Sequence, residues 1–131
     1  MELNDETLRF IREHCKDDVR NLALQAPKYP GVDMPVALTQ IAGRQAAAEK
    51  IPSWHEEEGI LYPRHLSLEQ CSSEATARYK ASIIPESSSG TLTDLTGGFG
   101  IDCAFLSPKF HHVTYVERQE VLCEIASHNF P

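Results

Sequence analysis

The spacing of apolar residues changes near residue 85 and divides the chain into two parts. Before that point apolar residues recur three and four positions apart, which is typical of one buried face of an α-helix. The first such stripe predicts a helix that Asn4 or Asp5 caps at its start. Its apolar members are Leu8, Ile11, Cys15, Val19 and Leu22.

Caps and breakers predict a second helix over residues 35–50. Asp33 is placed to cap it, and Pro35 suits its first turn because the proline nitrogen has no hydrogen to leave unpaired. Pro52 ends it, since proline cannot continue the helical hydrogen-bond ladder.

Two further helix starts are predicted before residue 85. Ser67 followed by Gln70 resembles a capping box, in which the two side chains satisfy each other's backbone amides. Ser72 or Ser73 offers a second start. Residues 1–85 are therefore predicted to form a helical N-terminal domain.

Beyond a serine- and glycine-rich linker at residues 86–90, the pattern alternates between strands and helices. Residues 91–95 and 112–116 are predicted strands, and residues 100–106 and 119–128 are predicted helices. This order predicts parallel strands with a right-handed crossover. The predicted fold is thus a mainly α N-terminal domain followed by the β-α-β-α start of a Rossmann-like α/β domain at residues 91–131.

Composition and charge exclude several classes of protein. A chain of 131 residues with 41% apolar and 24% charged residues is typical of a soluble globular protein. No apolar run is long enough to cross a bilayer, and the acidic N-terminus does not resemble a secretory signal, so we expect a cytoplasmic protein without a membrane partner. The net charge of −7 argues against nucleic-acid binding by bulk electrostatics.

The cysteines and histidines do not predict a metal site. Cys15, Cys71, Cys103 and Cys123 are too far apart for a Cys-x-x-Cys pair, and we interpret them as small buried side chains. His111 and His112 are adjacent, so on a strand they point to opposite faces and cannot grip one ion together. We expect no metal.

The candidate chemistry lies where the first predicted strand meets its helix, at residues 94–100. Glycines at such a turn take positive φ without cost and let a ligand approach the backbone closely. Asp94 closes the first strand and Glu117 closes the second. A carboxylate at the end of the second strand can accept hydrogen bonds from both ribose hydroxyls of an adenosine.

The acidic residue ahead of the loop favours one class of adenosine ligand over another. A carboxylate beside a pyrophosphate would repel it, whereas the ammonium and sulfonium of S-adenosylmethionine would be attracted. The charge argument therefore favours S-adenosylmethionine over NAD or FAD. A nucleotide-dependent oxidoreductase remains the alternative enzyme, and a helical interaction module with a non-catalytic Rossmann tail the non-enzymatic one.

At these positions the sequence resembles the class I S-adenosylmethionine-dependent methyltransferases. Residues 93–102 resemble the first motif of that family, with Thr96 where glycine is more usual, and residues 115–118 resemble the acidic end of its second strand. The amino-acid sequence of residues 94–102 and 122–129 is most similar to the RNA-modifying branch of the family, such as bacterial ribosomal-RNA guanine methyltransferases. The resemblance covers about residues 90–130.

The resemblance implies a set of cofactor-binding residues. Glu117 would hold the ribose and Arg118 would flank the adenine, while Asp102 would either contact the methionine part through water or cap the short helix. Phe99 would either stack on the ligand or pack in the core under the loop. The implied cofactor-binding residues are Asp94, Thr96, Gly97, Gly98, Phe99, Gly100, Asp102, Glu117 and Arg118.

The helical part carries a candidate RNA-binding face, and the role of its cationic side chains can be interpreted in two ways. In one, they bind an RNA substrate while Tyr79 stacks on a base. In the other, they cover the surface of the methyltransferase core. The residues concerned are Arg64, His65, Arg78, Tyr79 and Lys80.

The resemblance also implies that this sequence is the N-terminal part of a longer enzyme. The family fold has a seven-stranded sheet, and only two strands are predicted here, so the strand that carries substrate-positioning residues is not among them. We therefore expect this fragment to be inactive and to bind the cofactor weakly. Exposed edges of the short sheet predict local disorder after Gly90 or pairing with a second copy.

Overall fold

The structure is a computed structural model, and it describes residues 3–85 and 90–130. The helices of the first part are α1 Asp5–Glu13, α2 Val19–Leu24, α3 Met34–Lys50, α4 Pro52–His55, α5 His65–Gln70 and α6 Glu74–Ser82. Strand β1 Thr91–Asp94, helix α7 Ile101–Leu106, strand β2 His112–Tyr115 and helix α8 Glu120–Asn129 follow. Short 3₁₀ turns occupy Ala26–Lys28 and Ser107–Lys109.

The single first helix predicted by the apolar stripe is wrong, because the chain forms α1 and α2 with a break between them. Asn4 caps α1 by accepting a hydrogen bond from an amide of the first turn, and Asp18 starts α2 in the same way. Between them, the Gln45 amide donates to the carbonyls of Cys15 at 3.1 Å and Asp17 at 2.8 Å, which a continuous helix would use internally.

The break also changes which face of α1 is buried. Leu8, a member of the predicted stripe, is 40% exposed, whereas Thr7 and Phe10 are buried together with Ile11. Thr7 has a specific partner, because its hydroxyl accepts a hydrogen bond from the Asp33 amide at 3.0 Å. Cys15 lies in the connection between α1 and α2 and not on a helix.

Helix α3 is the central element of the helical part, and its prediction is confirmed. The Asp33 carboxylate accepts from the Val36 amide at 3.4 Å, and the helix ends at Lys50 before Pro52. Pro52 begins the short α4 and so redirects the chain at once. The first core cluster joins α3 to α1 and α2 and consists of Phe10, Ile11, Leu22, Met34, Ala37 and Ile41.

One of the two later helix starts is confirmed and the other is wrong. Ser73 caps α6, since its hydroxyl accepts from the Thr76 amide at 3.1 Å. The capping box predicted at Ser67 does not form, because α5 begins at His65 and places Ser67 inside the helix. Arg64 stands at the N-cap of α5 without a side-chain cap hydrogen bond.

The strand–helix–strand–helix order after residue 90 is present, and the two strands are parallel. Thr91 pairs with His112 and Asp94 with Tyr115 at the two ends of the ladder. The predicted linker falls mainly on residues 86–89, which lie outside the described residues. Pairing of sheet edges between two copies remains a prediction.

A second core cluster contains residues from both predicted parts of the chain. Trp54 packs edge-on against Phe99 from the loop after β1, with ring centroids 5.1 Å apart. The helical part therefore packs directly on the glycine-rich loop and on α7 and α8. The buried members are Ala47, Ile51, Tyr62, Leu68, Ala77, Phe99, Ile101 and Ile125.

Candidate functional site

The loop between β1 and α7 is a tight turn that needs glycine at two positions. Gly98 has φ 54° and Gly100 has φ 91°, both in the left-handed region that other residues rarely adopt. The Gly97 amide donates to the Val116 carbonyl at 2.8 Å, which ties the loop to the end of β2. The backbone at the carboxyl ends of both strands is thus held in one fixed arrangement.

Gly97 is required for a different reason, since its φ is not positive. A Cβ placed on Gly97 would lie 2.2 Å from Cε2 of Tyr115, well inside contact distance. The Tyr115 ring covers the loop, and its hydroxyl donates to the Gly98 carbonyl. Burial raises the pKa of Tyr115 above its ordinary value, so the hydroxyl stays protonated as a donor.

Asp94 holds the loop together and is not among the residues that line the cleft described below. One oxygen of its carboxylate accepts from the Thr96 amide at 3.0 Å, and the other accepts from the Cys103 thiol at 3.5 Å. Burial, with the nearby Asp94 charge, raises the pKa of Cys103 to about 12. Cys103 is therefore a protonated, buried donor to the carboxylate.

Glu117 bridges the end of β2 to the glycine loop. Its Oε1 accepts from the Gly98 amide at 3.0 Å and its Oε2 accepts from the Gln119 amide at 2.8 Å. These amide hydrogen bonds, that of Gln119 first, lower the pKa of Glu117 and keep it ionised. Each oxygen still has a second lone pair with which to accept a hydrogen bond from a ligand.

The glycine loop and Glu117 face a polar cleft of about 440 Å³. This volume lies within the range typical of small-molecule sites. The opposite wall comes from the helical part of the chain, which sequence reasoning did not predict. The lining residues are Ser67, Gln70, Cys71, Ser72, Lys80, Thr96, Gly97, Gly98, Phe99, Gly100, Ile101, Asp102, Glu117, Gln119 and Leu122.

Asp102 lies in the first turn of α7 and pairs with a cation from α6. The Lys80 ammonium donates to Asp102 Oδ2 at 3.0 Å, and the Ser72 hydroxyl donates to the same oxygen at 3.2 Å. The N-cap of α7 is Gly100, without a side-chain hydrogen bond, so Asp102 does not cap this helix. The other carboxylate oxygen, Oδ1, is buried and has no hydrogen-bond partner within the described residues.

The remaining two predicted cofactor residues are Phe99, which is buried in the core beneath the loop, and Arg118, which lies outside the lining of the cleft. Phe99 is 2% exposed, and its ring contacts Trp54 and Tyr62, which corresponds to the core reading of this residue. Arg118 is exposed and is not among the lining residues. The cleft therefore brings together seven of the nine predicted positions, all except Asp94 and Arg118.

The predicted RNA-binding residues occupy different environments. Arg78 pairs with Glu74 at 2.9 Å, and its guanidinium lies 4.9 Å from the centre of the Phe105 ring. Lys80 faces the cleft, whereas Tyr79 is 67% exposed on the outer surface. Arg64 is also exposed. The cations of α6 thus contact α7, while Arg64 and Tyr79 remain open to solvent.

Sequence reasoning missed the helical wall of the cleft because no local signal marks it. Ser72 was predicted only as a possible helix cap, and Lys80 only as a cation that either binds RNA or covers the methyltransferase core. Their place beside Asp102 depends on how α6 packs on α7, which is a tertiary contact. Tyr115 could have been found, because it ends β2 two positions before Glu117, in the segment that must meet the loop.

Two kinds of feature are absent from the described residues, 3–85 and 90–130. No helix there is long and apolar enough to cross a membrane. No group of three or more histidine, cysteine, aspartate or glutamate side chains there is arranged to hold a metal ion.

Comparison with known proteins gives one informative likeness. No protein-family model and no curated protein sequence matches the chain. Among solved structures, a putative methyltransferase from Porphyromonas gingivalis W83 matches all of this chain with 29% identity and a TM-score of 0.76. The chain spans 33% of the length of that protein. This likeness shows that the chain has the fold of the corresponding part of that protein.

Proposed function

We propose that the chain binds S-adenosylmethionine as the donor-binding part of an RNA methyltransferase. The observation that carries the proposal is the position of Glu117, which is hydrogen-bonded to the glycine loop at the rim of a polar cleft of about 440 Å³. A glycine loop, an acceptor-only carboxylate at the end of the next parallel strand and a cleft of this size together fit an adenosine with a short extension.

Glu117 is suited to the ribose hydroxyls of the donor. Its lowered pKa keeps it ionised at neutral pH, so it accepts hydrogen bonds and donates none. The amides of Gly98 and Gln119 fix the carboxylate in place before the ligand arrives. A pre-positioned acceptor of this kind costs little conformational entropy on binding.

The charges lining the cleft favour S-adenosylmethionine over a dinucleotide. Two carboxylates, Asp102 and Glu117, line the cleft together with one cation, Lys80. A pyrophosphate would meet net negative charge there, whereas S-adenosylmethionine brings an ammonium and a sulfonium against one carboxylate. When bound, the donor would supply an electrophilic methyl group. The residues of this chain bind and orient the donor, and none of the lining residues is assigned to the methyl acceptor.

The RNA substrate is proposed from the resemblance of residues 94–102 and 122–129 to RNA-modifying methyltransferases. The exposed side chains of Arg64 and Tyr79 are the available contacts on the outer face. Arg78 and Lys80 already contact α7, because Arg78 lies against the Phe105 ring and Lys80 pairs with Asp102. Replacing Arg64 and Tyr79 with alanine should weaken RNA binding in a filter-binding assay, while Arg12→Ala on exposed α1 should not. Equal affinities for all three proteins would contradict the assignment.

The donor-binding proposal is tested by NMR titration of the ¹⁵N-labelled chain with S-adenosylhomocysteine. We expect weak binding, with shifts concentrated in the amides of residues 96–100 and of Gln119. Glu117→Ala should abolish these shifts, and Glu56→Ala, at an exposed site outside the cleft, should leave them unchanged.

Two further results decide between the candidate activities. Tighter binding of NAD than of S-adenosylhomocysteine, with shifts at the same amides, would replace the methyltransferase proposal by the oxidoreductase one. No catalytic turnover is expected from the chain alone, since methyl transfer needs a positioned acceptor as well as a donor. Incorporation of labelled methyl groups into RNA by the chain alone would contradict that expectation.

A further inference from the structure

A second cavity, of about 300 Å³, lies outside the polar cleft and shares no lining residue with it. It is bordered by α1, α3, α8 and the segment 58–62 that leads towards α5. Its walls are mainly apolar, with Leu8 and Ile11 from α1 and Ile60 and Leu61 from that segment. The volume is at the lower end of the range typical of small-molecule sites. The helical part therefore has a cavity of its own, separate from the site proposed for the donor.

Arg44 on α3 brings a positive charge into this apolar wall. It is half-buried, and its Nη2 donates to the Glu58 carbonyl at 3.1 Å. Among the described residues, no aspartate or glutamate forms an ion pair with it. A guanidinium has five N–H donors, and the structure shows one acceptor for that of Arg44 in this part of the chain. Most of its hydrogen-bonding capacity is thus available to an acceptor from outside the chain.

The neighbouring polar groups of the wall already have partners within the fold. The Gln40 side chain accepts from the Tyr62 amide at 2.8 Å and donates to the Tyr62 carbonyl at 3.0 Å. His128 Nε2 lies 2.8 Å from the Gly59 carbonyl, which can only accept, so this nitrogen donates. Compared with these groups, Arg44 has the most unused donors, and each of them carries the guanidinium charge.

The charges in the wall favour a ligand with a single negative charge. Glu58 also lines the cavity, and its exposed side chain forms no ion pair with Arg44. A dianion such as a phosphate monoester would have one cation to offset two charges and would be repelled by Glu58. A carboxylate matches the planar guanidinium through two parallel hydrogen bonds. The apolar walls then suit a ligand whose remaining atoms need no hydrogen bonds.

A purely structural role explains Arg44 less well. The hydrogen bond to the Glu58 carbonyl needs one neutral donor, which an amide would supply without the cost of partly burying a charge. Leu8 also lines the cavity while 40% exposed, and a ligand with an apolar body would cover it. An unpaired cation and an uncovered leucine in the same wall are both accounted for by an amphiphilic anion.

We propose that this cavity binds a small monocarboxylate with an apolar body. The carboxylate accepts hydrogen bonds from the Arg44 guanidinium. The apolar body lies between α1, at Leu8 and Ile11, and the segment that contains Ile60 and Leu61. The inference does not depend on the proposed donor site, because the two cavities have no lining residue in common.

The experiment compares three probes that share an eight-carbon body and differ in the head group. Octanoate, octan-1-ol and octylammonium are titrated into the ¹⁵N-labelled chain, and dissociation constants are obtained from the NMR shifts. Octanoate should bind at least about tenfold more tightly than octan-1-ol, since hydrogen bonds between charged groups typically contribute that much. The shifts should appear in the amides of Ile60 and Leu61 and not in those of residues 96–100.

Arg44→Gln should remove most of the preference for octanoate and leave the affinity for octan-1-ol unchanged. Arg44→Lys, which keeps the charge without the planar fork, should retain part of the preference. Arg12→Gln is the matched control, because Arg12 is exposed and does not line the cavity. Glu58→Gln should tighten octanoate about twofold or more by removing a like charge. It carries the test if Arg44→Gln does not fold, as judged from its NMR spectrum.

Several results would overturn the inference. Equal affinity for octanoate and octan-1-ol, or tighter binding of octylammonium, would remove the role given to Arg44. A loss of affinity for both octanoate and octan-1-ol in Arg44→Gln would show that Arg44 only maintains the shape of the cavity. Octanoate shifts confined to residues 96–100 would place the probe in the polar cleft instead. Absence of shifts with all three probes would show that the cavity takes no ligand of this class.

Discussion

Gly97→Ala tests the physical basis of the glycine loop most directly. The new methyl group would lie 2.2 Å from Cε2 and 2.4 Å from Cδ2 of Tyr115, so the aromatic ring must move. That movement breaks the hydrogen bond from the Tyr115 hydroxyl to the Gly98 carbonyl. Since φ at Gly97 is not positive, the effect comes from this contact and not from backbone strain.

The expected cost follows from these two contributions. Forcing an extra methyl group into packed structure costs about 1–3 kcal/mol, and losing a neutral hydrogen bond costs about 0.5–1.5 kcal/mol. We therefore expect Gly97→Ala to lower the free energy of unfolding by about 2–4 kcal/mol. Tyr115→Phe, which removes only the hydroxyl, should cost about 1 kcal/mol.

Urea unfolding followed by tryptophan fluorescence measures this directly. The chain has one tryptophan, Trp54, and its ring lies against Phe99 of the loop. Gly59→Ala is the matched control, because nothing lies within 4 Å of a Cβ placed there. In a Tyr115→Val background Gly97→Ala should become nearly neutral, since the clashing ring is gone. A native-like Gly97→Ala, or full additivity with Tyr115→Val, would refute the reasoning.

Three further predictions concern an acid, a buried amide and a thiol. The amide hydrogen bonds that lower the pKa of Glu117 give it a contribution to stability that is full above its ordinary pKa of 4.5 and lost as the pH falls through the lowered value. Glu117→Gln should therefore lose less stability than the native chain between about pH 5 and pH 3 in urea unfolding, and an unchanged acid dependence would contradict this. Gln40→Leu should cost about 2–4 kcal/mol in the same assay, because it leaves the buried amide and carbonyl of Tyr62, now bonded at 2.8 and 3.0 Å, without partners. A cost near zero would show that these groups find other partners. Burial and the Asp94 charge raise the pKa of Cys103 to about 12, so its alkylation by iodoacetamide, followed by peptide mass spectrometry, should be far slower in the folded than in the urea-unfolded chain. Equal rates would place this thiol in solvent.

Features set by near neighbours in the chain could be predicted from the sequence. Asn4, Asp33 and Ser73 each cap a helix through an amide three positions further on, so the signal is local. The glycine turn after β1 is also local, because positive φ at Gly98 and Gly100 is a property of the residue type.

Features that depend on packing could not be predicted in this way. The apolar stripe predicted one helix over α1 and α2. The side-chain amide of Gln45 instead binds the carbonyls of Cys15 and Asp17 between them, from 30 and 28 positions away. The local capping signal at Ser67 failed because α5 begins earlier, at His65. At the break between α1 and α2, tertiary hydrogen bonds outweighed a local helix preference of about 1 kcal/mol or less.

The same distinction between local sequence and tertiary packing applies to the candidate site. The sequence by itself determined a strand–glycine turn–helix unit with an acid at the end of the next strand, because each of these is encoded within a few residues. The tertiary structure alone brought Lys80 to Asp102, 22 positions away, across the contact between α6 and α7. A side chain's partner at that separation depends on the packing of whole helices, and the spacing of residues in the chain does not encode it.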